Sequence, residues 1–225
     1  MPVISVLMPV YNTGDYVREA INSILSQTFI DFELIIINDG STDHSVEVIK
    51  SINDRRLVFI DHKENAGNYP RRNEGACIAS GKYIAVMDSD DIAMPERLER
   101  QLAVMEADTT LLACGTNYTF IGGVEGVLRT CLYEDIKVAL RTCNCFLHTS
   151  LMIRREAFIK AGGYNESYRY SSDYDLMRRL ALEGKIINLP DRLLLYRVHS
   201  GQISMKFFKE QDEFANRIRS KYDHV

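Results

Sequence analysis

The first hundred residues alternate short β-branched runs with amphipathic stretches, and this alternation restricts the chain to few folds. The runs predict strands at residues 3–10, 32–38, 57–61 and 83–88, and the stretches between them predict helices at 16–27, 45–52, 72–79 and 95–107. Strands that alternate with helices in this way are typical of βαβ units. The sequence therefore predicts an α/β fold with a parallel sheet flanked by helices.

The second half of the chain is less regular. It predicts strands at 111–121 and 149–153, helices at 135–141 and 173–183, and an extended segment at 186–197. No low-complexity linker separates the halves, so we expect a single domain over 1–225. We predict an open, twisted, mostly parallel, Rossmann-like sheet, to which the second half adds a smaller mixed or antiparallel edge.

The C-terminal segment 205–225 is predicted to form an amphipathic helix. Phe207, Phe214, Ile218 and Tyr222 lie on one helical stripe, with charged residues elsewhere. Such a stripe is most often packed on the protein's own core, and docking on a membrane surface or on a partner is the alternative.

Composition excludes several functional classes. The 225 residues include 27 Lys and Arg against 31 Asp and Glu, a net charge of −4. A nucleic-acid partner requires a basic face, which this balance does not provide, so we expect none. The five cysteines show no Cys-x-x-Cys spacing, which predicts reduced, buried thiols in a cytoplasmic protein. No apolar run approaches the roughly 18 residues of a membrane span.

Polar residues follow the predicted strands at intervals of about one βα unit. They are Asn12, Asp39, Asp61 and Asp88. The carboxyl ends of parallel strands meet at one edge of the sheet, where such folds bind ligands. Carboxylates gathered there repel one another unless a cation offsets their charge. We expect Asp61 to serve only a turn, and Asp39 and Asp88 to serve a site.

The strongest local signal is the sequence Asp88-Ser89-Asp90-Asp91, directly after an apolar strand and before Pro95. Clusters of carboxylate oxygens suit hard divalent cations such as Mg²⁺ or Mn²⁺, which keep open positions for phosphate oxygens. The alternative is a solvated acidic turn that caps the next helix. The apolar strand and the acidic edge beside the turn favour the metal site.

Two further loops carry residues suited to a ligand. In the turn at residues 38–43, Asp39 could accept hydrogen bonds from N–H or hydroxyl groups, beside the flexible Gly40. The loop at 65–75 combines Asn65 and Gly67 with two guanidinium groups near a helix start, from which Arg72 could reach phosphates or a sugar ring.

Taken in order, these motifs carry a resemblance to a known family. They are Pro9-Val10-Tyr11-Asn12, Asn38-Asp39-Gly40-Ser41-Thr42-Asp43, Asn65-x-Gly67 with Arg72-Asn73-x-Gly75, Asp88-Ser89-Asp90-Asp91, Gly162-Gly163-Tyr164-Asn165-Glu166, Asp173-Tyr174-Asp175-Leu176 and Tyr196-Arg197-Val198-His199. Together they resemble the family 2 glycosyltransferases of the GT-A fold. The resemblance covers nearly the whole chain.

The resemblance implies an inverting, metal-dependent transferase of the hexosyltransferase type. Its donor would be a nucleoside diphosphate sugar, most simply a UDP-sugar. Its acceptor would be a hydroxyl of a glycan or of a lipid-linked saccharide, in the assembly of a cell-surface glycan. Residues 1–107 would then bind the nucleotide sugar and 108–204 the acceptor. A lipid-linked acceptor would bring the protein to the inner face of the cell membrane. No oligomeric state is implied.

The resemblance also implies roles for single residues. The substrate-binding set is Pro9, Tyr11, Asn12, Asp39, Asn65, Gly67, Arg72, Asp88 and Ser89, with Asp39 on the base of the nucleoside. The ligands of Mn²⁺ or Mg²⁺ would be Asp88, Asp90, Asp91 and His199. The catalytic base would be Asp173. Ser172 stands where the family usually has Glu, which leaves the choice between Asp173 and Asp175 open.

Two other functions remain as alternatives. A sugar nucleotidyltransferase would also use a metal and carboxylates, but it would carry a Gly-rich basic loop after its first strand, where this chain has Tyr11-Asn12-Thr13-Gly14. A binding module without activity is the other alternative, if the altered Ser172-Asp173 site is dead.

Overall fold

The computed structural model describes residues 1–222, which build a mixed eight-stranded sheet with helices on both faces. The strands are β1 (Ile4–Val10), β2 (Phe32–Asp39), β3 (Leu57–His62), β4 (Tyr83–Val86), β5 (Ile92–Ala93), β6 (Leu111–Phe120), β7 (Met152–Arg154) and β8 (Lys185–Tyr196). The helices are α1 (Gly14–Leu25), α2 (Ser45–Lys50), α3 (Asn68–Ile78), α4 (Arg97–Ala107), α5 (Tyr133–Ala139), α6 (Arg155–Lys160), α7 (Ser172–Glu183), α8 (Ile203–Lys206) and α9 (Phe208–Tyr222).

The predicted α/β fold class is confirmed. The strand order is β3-β2-β1-β4-β7-β6-β8-β5, and the first four strands of this order are parallel. Strand β7 pairs antiparallel with both β4 and β6, and β6 runs parallel to β8. The second half therefore continues the same sheet as its mixed part.

Alternate side chains of β1 face the two helical layers. Ile4, Val6 and Met8 are fully buried in a cluster that includes residues of α1 and α4. Leu7 is buried in the opposite cluster, with residues of α3 and α7. Because both faces of this strand are covered, its sequence is a nearly continuous apolar run.

Two predicted element starts differ from the structure by more than two residues. Residues 148–150 form a 3₁₀ turn instead of the start of a strand. There the Ser150 hydroxyl donates to the Leu147 carbonyl at 2.7 Å, a local bond that competes with strand pairing. Helix α3 begins at Asn68, four residues before its predicted start. Gly67 leads into it with φ +100°, and Pro70 lies in the first turn, where its missing N–H leaves no hydrogen bond unmade.

The C-terminal stripe packs on the protein's own core. Ile218 and Tyr222 of α9 are buried in the cluster that contains the α7 residues. Phe207, which separates α8 from α9, stacks on Tyr170 with ring centroids 5.1 Å apart. Residues 223–225 of the predicted helix lie outside the described residues. Within residues 1–222, no helix combines the length and the apolar character needed to cross a membrane.

The cysteine prediction was only partly correct for burial. All five cysteines are free thiols, and Cys114 and Cys145 are buried. Cys77 and Cys143 are exposed. Cys77 lies near the end of α3 on its solvent side and Cys143 in a loop, and neither position has the apolar periodicity that places a side chain in the core.

Candidate active site

The loops that follow β1, β2 and β4 meet at one edge of the sheet. The Asn12 side chain accepts a hydrogen bond from the Thr42 backbone N–H at 2.8 Å, and the Thr13 hydroxyl donates to Ser89 at 2.9 Å. Asn12 therefore holds the neighbouring loop in place and tolerates φ +52° there. Asp61, which was predicted to serve a turn, lies in β3 instead, where its carboxylate accepts from the Asn38 amide and from Lys63, each at 2.8 Å.

The ring of Tyr11 projects from this edge. It is 49% exposed, directly after β1 ends. Pro9 lies two residues earlier, within β1, and is half-buried. An exposed aromatic face beside a ligand edge can stack on a planar heterocycle.

Asp88, Asp90 and Asp91 form the acidic turn, in which one ligand oxygen from each residue lies within 4.8 Å of the others. Burial and the Asp88 charge raise the pKa of Asp90. Burial and the other two carboxylates raise the pKa of Asp91 well above its usual value. Three close, largely buried carboxylates are thus costly to ionise together without a cation.

The acidic turn fits a divalent cation. Asp91 is buried, and its Oδ1 accepts from the Arg197 backbone N–H at 2.9 Å. Its Oδ2 is also buried but has no hydrogen-bond partner among residues 1–222. A buried, unpaired carboxylate oxygen next to two others is the donor set that Mg²⁺ and Mn²⁺ prefer.

The segment after β8 reaches the acidic turn from the other end of the chain. His199 Nε2 lies 2.9 Å from Asp90 Oδ2, and the His199 ring packs against Tyr16 with centroids 4.7 Å apart. The Arg197 guanidinium donates to the Asp90 carbonyl at 2.8 Å and lies over the same Tyr16 ring. The structure therefore brings His199 to the predicted metal site. Arg197 and Tyr16, which we did not predict, hold it there.

Asp39 organises the loop that precedes α3. Its Oδ1 accepts from the Ala66 N–H at 2.8 Å and from Arg71 Nε at 2.7 Å, and its Oδ2 accepts from the Gly67 N–H at 2.8 Å. The Asn65 amide donates to the Asp39 carbonyl at 3.2 Å. Asp39 is only 2% exposed, so three of the predicted substrate-binding residues, Asp39, Asn65 and Gly67, also build the loop itself.

Arg72 is fully buried and donates from Nη2 to Asp88. Its Nε and Nη1 have no partner within the described part of the chain. Burial and, after it, the Arg72 charge lower the pKa of His148 well below the usual value. A buried guanidinium with unused donors is poorly satisfied until an anionic group binds to it.

Asp173 lies in the first turn of α7, and each of its carboxylate oxygens accepts a hydrogen bond. The Tyr69 hydroxyl donates to Oδ1 and the Asn144 amide donates to Oδ2, both at 2.7 Å. Burial raises the pKa of Asp173, whereas the Tyr69 hydrogen bond and the Arg72 charge oppose that rise. Asp173 thus lies within the electrostatic reach of the arginine that binds Asp88.

The neighbouring candidate, Asp175, faces the interior. It is fully buried, and its carboxylate accepts from Arg179 Nε at 2.7 Å and from the Tyr222 hydroxyl at 3.1 Å. Ser172, also buried, donates to the Asn165 carbonyl at 3.0 Å. Of the two aspartates in this turn, only Asp173 is partly exposed.

Asp175→Asn is expected to destabilise the protein by about 3 kcal/mol, because it leaves Arg179 without its buried counter-charge. The free energy of unfolding measured in urea tests this. Asp191→Asn is the matched control, since Asp191 pairs with the half-exposed Arg100. Loss of this ion pair should lower the free energy of unfolding by only about 0–1 kcal/mol. Equal urea midpoints for Asp175→Asn and the wild type would refute this structural role.

Sequence reasoning missed several residues of the site. Tyr69, Asn144 and Arg71 contact predicted site residues directly. Arg71 had a signal, since it is one of two adjacent arginines in a loop already singled out. Tyr69 and Asn144 had none, because 104 and 29 residues separate them from Asp173. His148 is half-buried and bonds to the buried Tyr164 hydroxyl at 2.8 Å.

A curated relative resembles this chain over nearly its whole length. It is the UDP-Glc:alpha-D-GlcNAc-diphosphoundecaprenol beta-1,3-glucosyltransferase WfaP of Escherichia coli. The two are 30% identical over 228 residues, which cover 98% of this chain and 87% of the relative.

Two solved structures share the fold. One is S. aureus TarS 1-349 in complex with UDP-GlcNAc, with a TM-score of 0.80, 20% identity, and coverage of 97% of this chain and 65% of that one. The other is the mannosyltransferase PcManGT from Pyrobaculum calidifontis in complex with GDP-Man and Mn²⁺, with a TM-score of 0.71, 19% identity, and coverage of 89% and 58%. This chain thus spans less than two thirds of either neighbour, and at these identities they show the fold alone.

The family model that matches the chain agrees with the fold and with the motifs at the sheet edge. It describes glycosyl transferase family 2 and matches residues 5–162, more than half of the sequence. The chain belongs to glycosyl transferase family 2, the nucleotide-sugar dependent glycosyltransferases of the GT-A fold.

Proposed function

We propose that this protein transfers a single sugar from a UDP-sugar to a hydroxyl of a lipid-linked saccharide, with inversion at the anomeric carbon. One observation carries the proposal. Buried Arg72 bonds to the acidic turn through Asp88, has two nitrogens without a partner among residues 1–222, and acts by its charge on the partly exposed Asp173 carboxylate. A donor diphosphate and an acceptor hydroxyl need these groups.

The donor end of the site is suited to a nucleoside diphosphate. Tyr11 offers an exposed ring for stacking on the base, and Arg72 offers, for phosphate oxygens, two nitrogens that find no partner among residues 1–222. Asp88, Asp90, Asp91 and His199 would hold Mn²⁺ or Mg²⁺. Such a cation would neutralise the charge that develops on the departing diphosphate. The choice of UDP is supported by the UDP-Glc donor of the E. coli relative.

The acceptor end centres on Asp173. As the acceptor oxygen bonds to the anomeric carbon, the bond from that carbon to the diphosphate breaks and the hydroxyl proton passes to Asp173. A positioned general base of this kind is typically worth 10²–10⁴ in rate. Displacement from the face opposite the leaving group inverts the anomeric configuration, as in inverting glycosidases. The inward orientation of Asp175 supports Asp173 as the base.

The diphosphoundecaprenol acceptor of the E. coli relative supports a lipid-linked saccharide as acceptor, in the assembly of a cell-surface glycan. Such an acceptor would bring a cytoplasmic protein to the inner face of the membrane. We further propose that residues 1–225 act as one functional domain, with donor binding in 1–107 and acceptor binding in 108–204. The sheet that both halves share supports the single domain.

Product analysis tests the proposal. The protein is first screened by thermal shift with Mn²⁺ and a panel of UDP-, GDP- and dTDP-sugars, because a bound donor stabilises the native state by mass action. The stabilising donor is then incubated with a synthetic saccharide-diphospholipid. Release of UDP with sugar transfer supports the proposal. Release of pyrophosphate would indicate a sugar nucleotidyltransferase, and stabilisation without any product would indicate a binding module.

A further inference from the structure

We infer that Tyr69 and Asn144 are positioning residues that hold the Asp173 carboxylate in place and keep it ionised for proton transfer. The inference rests on the proposed role of Asp173 as base. It adds to that role two residues from distant parts of the chain, one in the first turn of α3 and one in the loop after α5.

The two hydrogen bonds reach different oxygens of the Asp173 carboxylate. Tyr69 donates to one oxygen and Asn144 to the other, each at 2.7 Å. Because each carboxylate oxygen has two lone pairs, one on each oxygen stays available for the proton of an acceptor hydroxyl. Both donors thus restrict the rotation of the carboxylate without consuming its capacity as a base.

The Tyr69 ring is itself fixed. It is buried and stacks on Tyr164 with ring centroids 5.1 Å apart. The Tyr164 hydroxyl bonds to His148 Nε2 at 2.8 Å, which holds the second ring in turn. Arg72 follows Tyr69 in the same helix and binds Asp88. The start of α3 therefore sets the distance between the base and the acidic turn.

The charges around Asp173 also assign Tyr69 an electrostatic role. Burial raises the pKa of Asp173, and the groups that oppose this are the Tyr69 hydroxyl first, then the backbone N–H groups of Asp173 and Tyr174 and the Arg72 charge. The pKa of Tyr69 is raised well above its usual value, so Tyr69 remains a proton donor. Burial likewise keeps His148 and Tyr164 uncharged, and Cys145 beside Asn144 has a pKa raised to about 12. Loss of the Tyr69 donor should therefore favour protonated Asp173.

The pH profile of Tyr69→Phe tests the inference. Transfer requires ionised Asp173, so activity falls below its pKa, and a raised pKa moves this acidic limb to higher pH. We expect the acidic limb of Tyr69→Phe to lie about one pH unit above that of the wild type. At a pH on this limb, kcat should be about tenfold below the wild-type value. The donor KM should stay within about twofold. Tyr174→Phe is the matched control. Tyr174 lies in the same helix as Asp173, and its substitution removes a buried hydrogen bond from a tyrosine hydroxyl, here to the Leu140 carbonyl.

Asn144→Ala provides an independent test, because it removes the hydrogen bond to the other Asp173 oxygen, Oδ2. It replaces Tyr69→Phe if circular dichroism shows that Tyr69→Phe does not fold. It should move the acidic limb in the same direction. An acidic limb that coincides with that of wild type and Tyr174→Phe in the folded variants would overturn the inference. Failure of the proposed base itself gives a different result, because Asp173→Asn would then retain turnover.

Discussion

Asp173→Asn is expected to lower the rate of sugar transfer at least about a hundredfold while donor binding is retained. Asparagine keeps the shape of the side chain, and its amide oxygen can still accept the Tyr69 hydrogen bond, but it cannot take a proton from the acceptor hydroxyl. Single-turnover kinetics of transfer, together with calorimetric titration of UDP in the presence of Mn²⁺, separates the two effects.

Asp191→Asn provides the control for the loss of a partly exposed carboxylate, because its ion pair with Arg100 lies outside the site. Its transfer rate should match that of the wild type. If Asp173→Asn turns over at the wild-type rate, the base lies elsewhere. Asp175 is then a poor substitute, since its oxygens are buried against α9.

Asp90→Asn is expected to weaken Mn²⁺-dependent donor binding by at least about a hundredfold. Asp90 is the member of the acidic turn that His199 contacts, and the amide that replaces it carries no charge with which to bind a cation. Calorimetric titration of UDP at fixed Mn²⁺ measures the loss, and electron paramagnetic resonance of free Mn²⁺ reports metal binding without any turnover.

The Asp191→Asn protein again serves as the control in both measurements. The melting temperature of Asp90→Asn without ligand should equal or exceed that of the wild type, because the substitution relieves repulsion among close carboxylates. Unchanged Mn²⁺ dependence of UDP binding in Asp90→Asn would contradict a metal site at the acidic turn.

The fold was largely predictable because its signals are local. Strands that are buried on both faces, such as Ile4–Val10, have nearly continuous apolar sequences. In the helices between them, apolar residues recur with a period of about 3.6 residues. The meeting of the loops after β1, β2 and β4 then follows from the geometry of parallel sheets. The acidic turn could be predicted for the same reason, since its three carboxylates are neighbours in sequence.

What could not be predicted depends on contacts between distant segments. Spacing alone did not distinguish Asp173 from Asp175, because both lie in one helical turn, and the difference arises from the packing of α9 against Asp175. The contact of Tyr69 with Asp173 arises from the tertiary placement of α3 beside α7. The loop around Asp39 is likewise closed by backbone N–H groups, which every residue except proline carries.

A crystal structure of the protein with UDP and Mn²⁺, recorded at the manganese absorption edge, tests the central claim most directly. We expect one anomalous peak, which marks a manganese ion bound by carboxylate oxygens of the acidic turn and by the diphosphate. Arg72 Nε or Nη1 should donate to a phosphate oxygen. Bound UDP with no manganese peak at Asp88, Asp90 and Asp91 would contradict the claim.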